Sequence, residues 1–439
     1  MIGTAGGYRS VLANRAFLAL WLAQVLSQIA DNLLYFVLLV EVYKQTGSNT
    51  AVSGLVLSFT LPALTIGLLA GVLVDRADKR AVLLLTNLAR AAIALMFIFS
   101  TSSLPSVFTL GLLTSAVRQL FMPAEAATLP RLLPQRDLLT ANSLFTLTYN
   151  ASFIVGFAGA GPLLKIAGPD AVFVVAAAFF LLSAALVWTL PKTAVDSQLE
   201  LPPSALDRSR LVVRELLEGW AFLRSGPEIL RVMLQLAFAW SLTGVIAAIA
   251  PGYATTVLGL SEEDAFFLVV PAGIGVVLGS LLIGRFGGRV DRALLIASGL
   301  LGMGLAVILL AVYRRLLDQL LPHVPPQITF DVHPGGLSGF LIAVMLFAAL
   351  LGLANAAATI PANTTIQEGT PDDLRGRVFS VLNTLGNLGS TAPVLLVGVL
   401  ADLLGVGRLM LLVGAGIFAI GALSAVPFLR RGSRIATTR

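Results

Sequence analysis

The sequence predicts an all-α membrane protein, with twelve transmembrane helices in two pseudo-symmetric six-helix bundles and both termini cytoplasmic. Three observations carry this expectation. Long apolar segments recur along nearly the whole chain, basic residues gather in alternate loops, and the second half repeats features of the first. Of the 439 residues, 57% are hydrophobic and 12% charged, with a mean hydropathy of +0.91. Soluble domains carry about 25% charged residues, so this composition excludes an ordinary soluble enzyme or binding module. The 41 glycines suit transmembrane helices that approach one another closely.

The apolar segments fall at about 14–45, 50–74, 80–102, 105–129, 138–167, 170–191, 227–257, 263–286, 291–315, 338–366, 374–404 and 408–430. Each is long enough to cross a hydrocarbon core of about 30 Å as a helix. The start, MIGTAGGYRSVLANR, lacks the h-region and cleavage site of a secretory signal, so the first segment is expected to stay as a helix. With the N-terminus inside, the inner segments hold about 22 of the 29 Lys and Arg. The outer loops hold only Lys44, Lys165, Arg314, Arg315 and Arg408, as the positive-inside rule requires. That placement makes the +6 net charge a matter of topology, and no nucleic-acid partner is expected.

The polar, proline-bearing stretch 192–226 divides the chain into bundles at 1–191 and 227–439. Its second part, LVVRELLEGWAFLRS, has apolar residues largely on one helical face and suits either the membrane surface or a solvated linker helix. Arg80 aligns with Arg292 in an offset of 212, and Asp137 with Asp373 in an offset of 236. The difference, about 24 residues, matches a proline-rich outer insert at 317–337. Two six-helix halves repeated in parallel are a known transporter plan, with the substrate site near the midplane between them.

Four ionisable residues lie well inside spans: Asp31, Arg90, Arg118 and Glu125. Burying a charge in hydrocarbon costs on the order of 3 kcal/mol or more, so each is a candidate functional group, with a structural ion pair as the alternative. The repeat aligns Asp31 with Thr243, Arg90 with Gly302 and Arg118 with Ala354, which concentrates charge in one half. Counting residues from the span ends puts Arg90 and Arg118 near the midplane, Asp31 in the outer half and Glu125 near the cytoplasmic end. Gln24, Gln28, Asp31 and Tyr35 step by helical spacing and form one polar stripe. Similar stripes run through Asn142, Thr146 and Asn150, through Asn355, Thr359 and Asn363, and through Asn383, Asn387 and Thr391. They suit either a polar cavity or interhelical hydrogen bonds.

Other chemistry finds no support. There is no cysteine, and the two histidines, His323 and His333, lie in the outer insert, so no metal site is expected. No phosphate-binding loop or catalytic constellation is present, so neither a cofactor nor an enzyme is expected.

Residues 71–80 read GVLVDRADKR, in the first inner loop. Gly71, Asp75, Arg76, Lys79 and Arg80 resemble the signature loop of the major facilitator superfamily, with Asp78 where many members have glycine. The resemblance implies a cytoplasmic gate motif that latches the outward-facing state, and a cavity lined by spans one, four, seven and ten. FMPAEAATLPRLLPQRDLLTANSL and IQEGTPDDLRGRVFSVLN are similar to the branch holding enterobactin exporters and macrolide efflux pumps. SQIADN is similar to lysophospholipid transporters. VGFAGAGP in span five resembles the antiporter helix-packing motif in Gly156, Gly159 and Gly161, but Phe157 replaces its proline. The matching point of span eleven has Pro393. Arg118 matches the span-four arginine motif without its downstream glycines.

The resemblance implies a monomeric secondary transporter in the bacterial cytoplasmic membrane, exporting amphipathic small molecules such as drugs or siderophores with protons as coupling ion. A lysophospholipid transporter and a non-transporting membrane scaffold are the alternatives.

Overall fold

The computed structural model describes residues 8–66, 70, 74, 77–101, 103–191, 226–320, 338–370, 378, 382 and 393–436. The described residues form helices: α1 (Tyr8–Ala13), α2 (Arg15–Thr46), α3 (Asn49–Thr65), α4 (Lys79–Ile98), α5 (Leu104–Leu132), α6 (Gln135–Trp188), α7 (Pro227–Tyr253), α8 (Phe266–Phe286), α9 (Arg292–Leu320), α10 (Gly339–Gly369), α11 (Pro393–Leu404) and α12 (Val406–Ala436). Nine helices among the described residues are long and apolar enough to cross a membrane. One of them, α6, covers the fifth and sixth expected spans. The second and eleventh expected spans are represented by α3 and α11, whose continuations lie outside the described residues.

Polar residues at the span boundaries start the helices. Asn14 Oδ1 accepts from the Ala16 and Phe17 amides at 3.0 and 3.1 Å, and its Nδ2 donates to the Leu132 carbonyl at 2.9 Å. Asp78 caps α4 by accepting from the Arg80 amide, which gives a local reason for an aspartate at that position. Asp291 and Ser338 act in the same way on α9 and α10. The 54-residue α6 breaks at Gly168, whose φ of 78° is open to glycine, and Pro169 then restarts the helix. The first residues of the expected insert at 317–337 continue α9, which runs to Leu320. The rest of the insert with both histidines, and the connector through residue 225, lie outside the described residues.

The chain forms two compact units: Met1–Thr46 with Gly54–Leu201, and Gly47–Ser53 with Pro202–Arg439. In the first, α2 packs along α6, and α4 packs on α5 and α6. Gly156 sits at the closest approach of α2 and α6, where a Cβ would lie 2.5 Å from that of Asn32. Phe157, fully buried beside it, packs on Tyr35, Phe36 and Phe153 with ring centroids 4.4–6.3 Å apart. The aromatic ring therefore fills the level where the resembling motif has proline.

The second unit is built on small-residue contacts between α8, α9 and α10. A Cβ on Gly275 would stand 1.9 Å from the Ala349 carbonyl oxygen, and one on Gly352 1.8 Å from that of Ala272. Gly302 and Ala354, the counterparts of Arg90 and Arg118, lie against each other, with 3.0 Å between the Ala354 Cβ and a Cβ built on Gly302. Close helix packing thus occupies the level at which the first unit carries charge.

The same unit holds the start of α3. The Asp402 carboxylate accepts from the Ser48 hydroxyl, the amide and side chain of Asn49, and the amide and hydroxyl of Thr50, at 2.6–3.0 Å. Hydrogen bonds to a charged group contribute about 1.5–3 kcal/mol each. Asp402→Ala is expected to speed amide exchange at Asn49 and Thr50 by roughly tenfold or more, measured by hydrogen–deuterium exchange.

Candidate functional site: a buried charge cluster in the first unit

Asp31 lies at the middle of the 32-residue α2, where it meets Arg90 of α4 and Arg118 of α5. Arg90 Nη1 donates to Asp31 Oδ2 at 3.0 Å, and Arg118 Nε stands 3.6 Å from the same oxygen. Residue counting placed Asp31 in the outer half of its span; its contacts at 3.0 and 3.6 Å instead put the carboxylate level with the two guanidiniums, at the middle of a 32-residue helix. Glu125 also belongs to this cluster, with both guanidiniums within its electrostatic reach. It lies seven residues inside the end of α5, which runs beyond the expected boundary to Leu132.

The two arginines are held differently. Arg90, 1% exposed, donates Nη2 to Asn87 Oδ1 at 2.8 Å and Nε to the Thr86 carbonyl at 3.4 Å. Its guanidinium carbon is 4.5 Å from the Phe121 ring centroid and 4.7 Å from that of Phe180, so both rings add cation–π attraction. Asn87 Oδ1 also accepts from Ser27, which is 2.8 Å from Ser183. Arg118 is 29% exposed and has looser partners, Gln28 Oε1 at 3.4 Å and the Tyr149 hydroxyl. Arg90 is therefore a fixed counter-charge, and Arg118 the one with room to move.

The carboxylates carry the remaining acceptors. Asp31 Oδ1 and Glu125 Oε1 are buried without a hydrogen-bond partner among the described residues. A buried carboxylate oxygen without a donor is costly, and it is an available acceptor for a proton or a donor group on a ligand. Because Oδ2 is bound to Arg90, Oδ1 can take a proton without that bond first breaking. Arg118→Gln is expected to leave the fold near wild-type stability, within about 1 kcal/mol in chemical unfolding, since Arg118 is itself part-exposed and its contacts to Asp31 and Gln28 are long, at 3.6 and 3.4 Å.

Other expected site residues divide. Gln24 Oε1 accepts from Thr148, joining α2 to α6, while Tyr35 turns to an aromatic contact with Phe59 at 5.3 Å. Asn142 and Thr146 bond back to their own helix, at Leu138 and Asn142 carbonyls, and are exposed. Asn355 Nδ2 reaches the Ala239 carbonyl of α7 at 3.2 Å, while Thr359 stays on α10 with the Asn355 carbonyl. The Asn150 side chain, Asn383, Asn387 and Thr391 lie outside the described residues, as do Gly71, Asp75 and Arg76. Lys79 is buried, and Arg80 donates to the Trp188 carbonyl and lies 5.0 Å from that ring's centroid. Gly159 approaches Leu33, and Gly161 follows on α6. Pro393 opens α11.

Sequence reading missed Asn87, Ser27, Ser183, Phe121 and Phe180. Asn87 stands three residues before Arg90, and Ser27 four before Asp31, so helical spacing carries a signal for both. The same spacing reaches Phe121, three residues after Arg118 and four before Glu125, while nothing local marks Phe180 and Ser183, which arrive from α6.

Long apolar helices in two units, with a paired charge cluster in the middle of one, define a multi-pass membrane protein of transporter architecture. The Major Facilitator Superfamily family model matches residues 20–393, and the chain belongs to that superfamily. It is 26% identical over 428 residues to an uncharacterised MFS-type transporter, YfiS, of Bacillus subtilis (strain 168), covering 97% of this chain and 95% of the relative. It is 26% identical to macrolide efflux protein A of Streptococcus pyogenes, covering 92% and 94%. It is 25% identical to the enterobactin exporter EntS of Escherichia coli O1:K1 / APEC, covering 93% and 90%. Among solved structures, the nucleoside transporter NupG superposes with a TM-score of 0.69 at 13% identity, covering 94% of this chain and 99% of that one. The low identity makes this a likeness of fold.

Proposed function

We propose that this protein is a proton-driven secondary exporter of amphipathic small molecules. It acts as a monomer in a bacterial cytoplasmic membrane and alternates access between bundles 1–191 and 227–439. The observation that carries the reading is Asp31, set between a fixed arginine and a movable one with one oxygen free. In this reading, protonation at Oδ1 weakens the hold on Arg118 and frees it for a substrate acceptor, and deprotonation restores the pair. Gly71, Asp75, Arg76, Lys79 and Arg80 act as the cytoplasmic latch. The full-length relatives named for macrolide efflux and enterobactin export support export of small molecules.

The test is transport by purified protein in proteoliposomes under an imposed pH gradient, with a macrolide and enterobactin as first probes. Gradient-dependent movement of either, abolished by a protonophore, is the expected result. Movement of lysophospholipid and of neither probe contradicts it.

A further inference from the structure

We propose that three arginines at one end of the second unit form a binding site for a phosphate-bearing anion. Arg314 and Arg315, near the end of α9, and Arg408, in the first turn of α12, line one cavity of about 440 Å3. That volume lies within the usual range for small-molecule sites. The positive-inside pattern puts this end of the helices outside, where only five basic residues occur in the loops. Three of those five converge on this one cavity.

The cavity is shaped for guanidinium groups. Arg314 Nη1 donates to the Val257 carbonyl at 2.8 Å and lies against the turn at Gly259, where a Cβ would stand 2.7 Å from it. Arg314 is thereby fixed in the wall. Arg315 Nη2 lies over Gly407, 3.9 Å from where a Cβ would be. Arg315 and Arg408 are exposed, and neither pairs with a carboxylate among the described residues. The carboxylate nearest in sequence to Arg408, Asp402, is engaged by the five hydrogen bonds from Ser48–Thr50. Like charges around one cavity repel, and an anion inside relieves that repulsion. The first turn of α12 adds its positive dipole end to the same space. Planar guanidiniums bind the oxygens of phosphates and carboxylates alike in pairs, and three cations around one cavity match a phosphate, with its charge of up to about −2, better than a singly charged carboxylate. The group is carried either by an anionic phospholipid headgroup or by a free phosphate.

The experiment uses the full chain in detergent, with two probes. Inorganic phosphate is titrated by calorimetry, and retention of phosphatidylglycerol against phosphatidylcholine is read by native mass spectrometry. The wild type is expected to bind one or both, and R315Q/R408Q to bind about tenfold or more weakly, from the loss of charge-assisted hydrogen bonds. R315K/R408K, which keeps the charge, is expected to fall between them and controls for folding. Saturable phosphate binding identifies a free anion, and selective lipid retention without it identifies a headgroup. Absence of both, or equal binding by the wild type and R315Q/R408Q, overturns the proposal.

Discussion

Asp31→Ala is expected to destabilise the first unit by about 3–5 kcal/mol and to abolish transport. The substitution leaves Arg90 buried with its counter-charge removed, and breaking a buried pair from one side costs that much. Arg90 has no route to water: it is 1% exposed, and the Phe121 and Phe180 ring centroids lie 4.5 and 4.7 Å from its guanidinium carbon. Replacing both partners with apolar residues of similar volume is often neutral or stabilising. The double variant Asp31→Leu with Arg90→Met is therefore expected to recover most of the lost stability while transport stays absent. Thermal unfolding of the single and double variants, beside proteoliposome transport, separates the fold's need for the pair from its use. Recovery of transport by the double variant would make the pair purely structural.

Gly352→Leu is expected to destabilise the second unit by about 3 kcal/mol or more, at the upper end for overpacking. The Cβ alone would stand 1.8 Å from the Ala272 carbonyl oxygen, a backbone atom that yields only if α8 moves away from α10. Gly284, on α8 with nothing within 4 Å of a built Cβ, is the control. Gly284→Ala is expected to hold or raise stability by up to about 1 kcal/mol, as glycine is a poor helix former. Unfolding midpoints of the two variants test whether close helix packing holds this unit together.

The helices were legible because hydropathy and the placement of Lys and Arg act over whole segments, and no single residue decides them. The stripe of Gln24, Gln28, Asp31 and Tyr35 was legible for the same reason, since helical spacing puts its members on one face. Tyr35 nevertheless ends in an aromatic cluster with Phe59 and Phe157, because spacing sets the face and neighbouring helices decide what meets it. Depth was less legible. Counting from one end of a 32-residue helix displaced Asp31 from the level of Arg90, although about seventeen residues in is its middle, and a boundary set short of Leu132 made Glu125 look peripheral. Ser183 and Phe180 could not be found from sequence, because both arrive on α6 from far along the chain. Asp402 was equally hidden, since its partners at 48–50 become neighbours only in the folded unit.

The repeat gave a contrast between the halves without its physical content. It aligned Arg90 with Gly302 and Arg118 with Ala354, and so predicted charge on one side only. The structure adds what replaces the charge, a glycine–alanine contact between α9 and α10.

The central claim is that Asp31 carries the proton that drives export. Its most direct test measures proton and substrate movement together in proteoliposomes, comparing the wild type with Asp31→Asn. The wild type is expected to move protons in proportion to substrate. The variant, which keeps the shape of the side chain without its charge, is expected to lose gradient-driven transport and substrate-dependent proton movement. Unchanged proton movement per substrate in Asp31→Asn would contradict the claim.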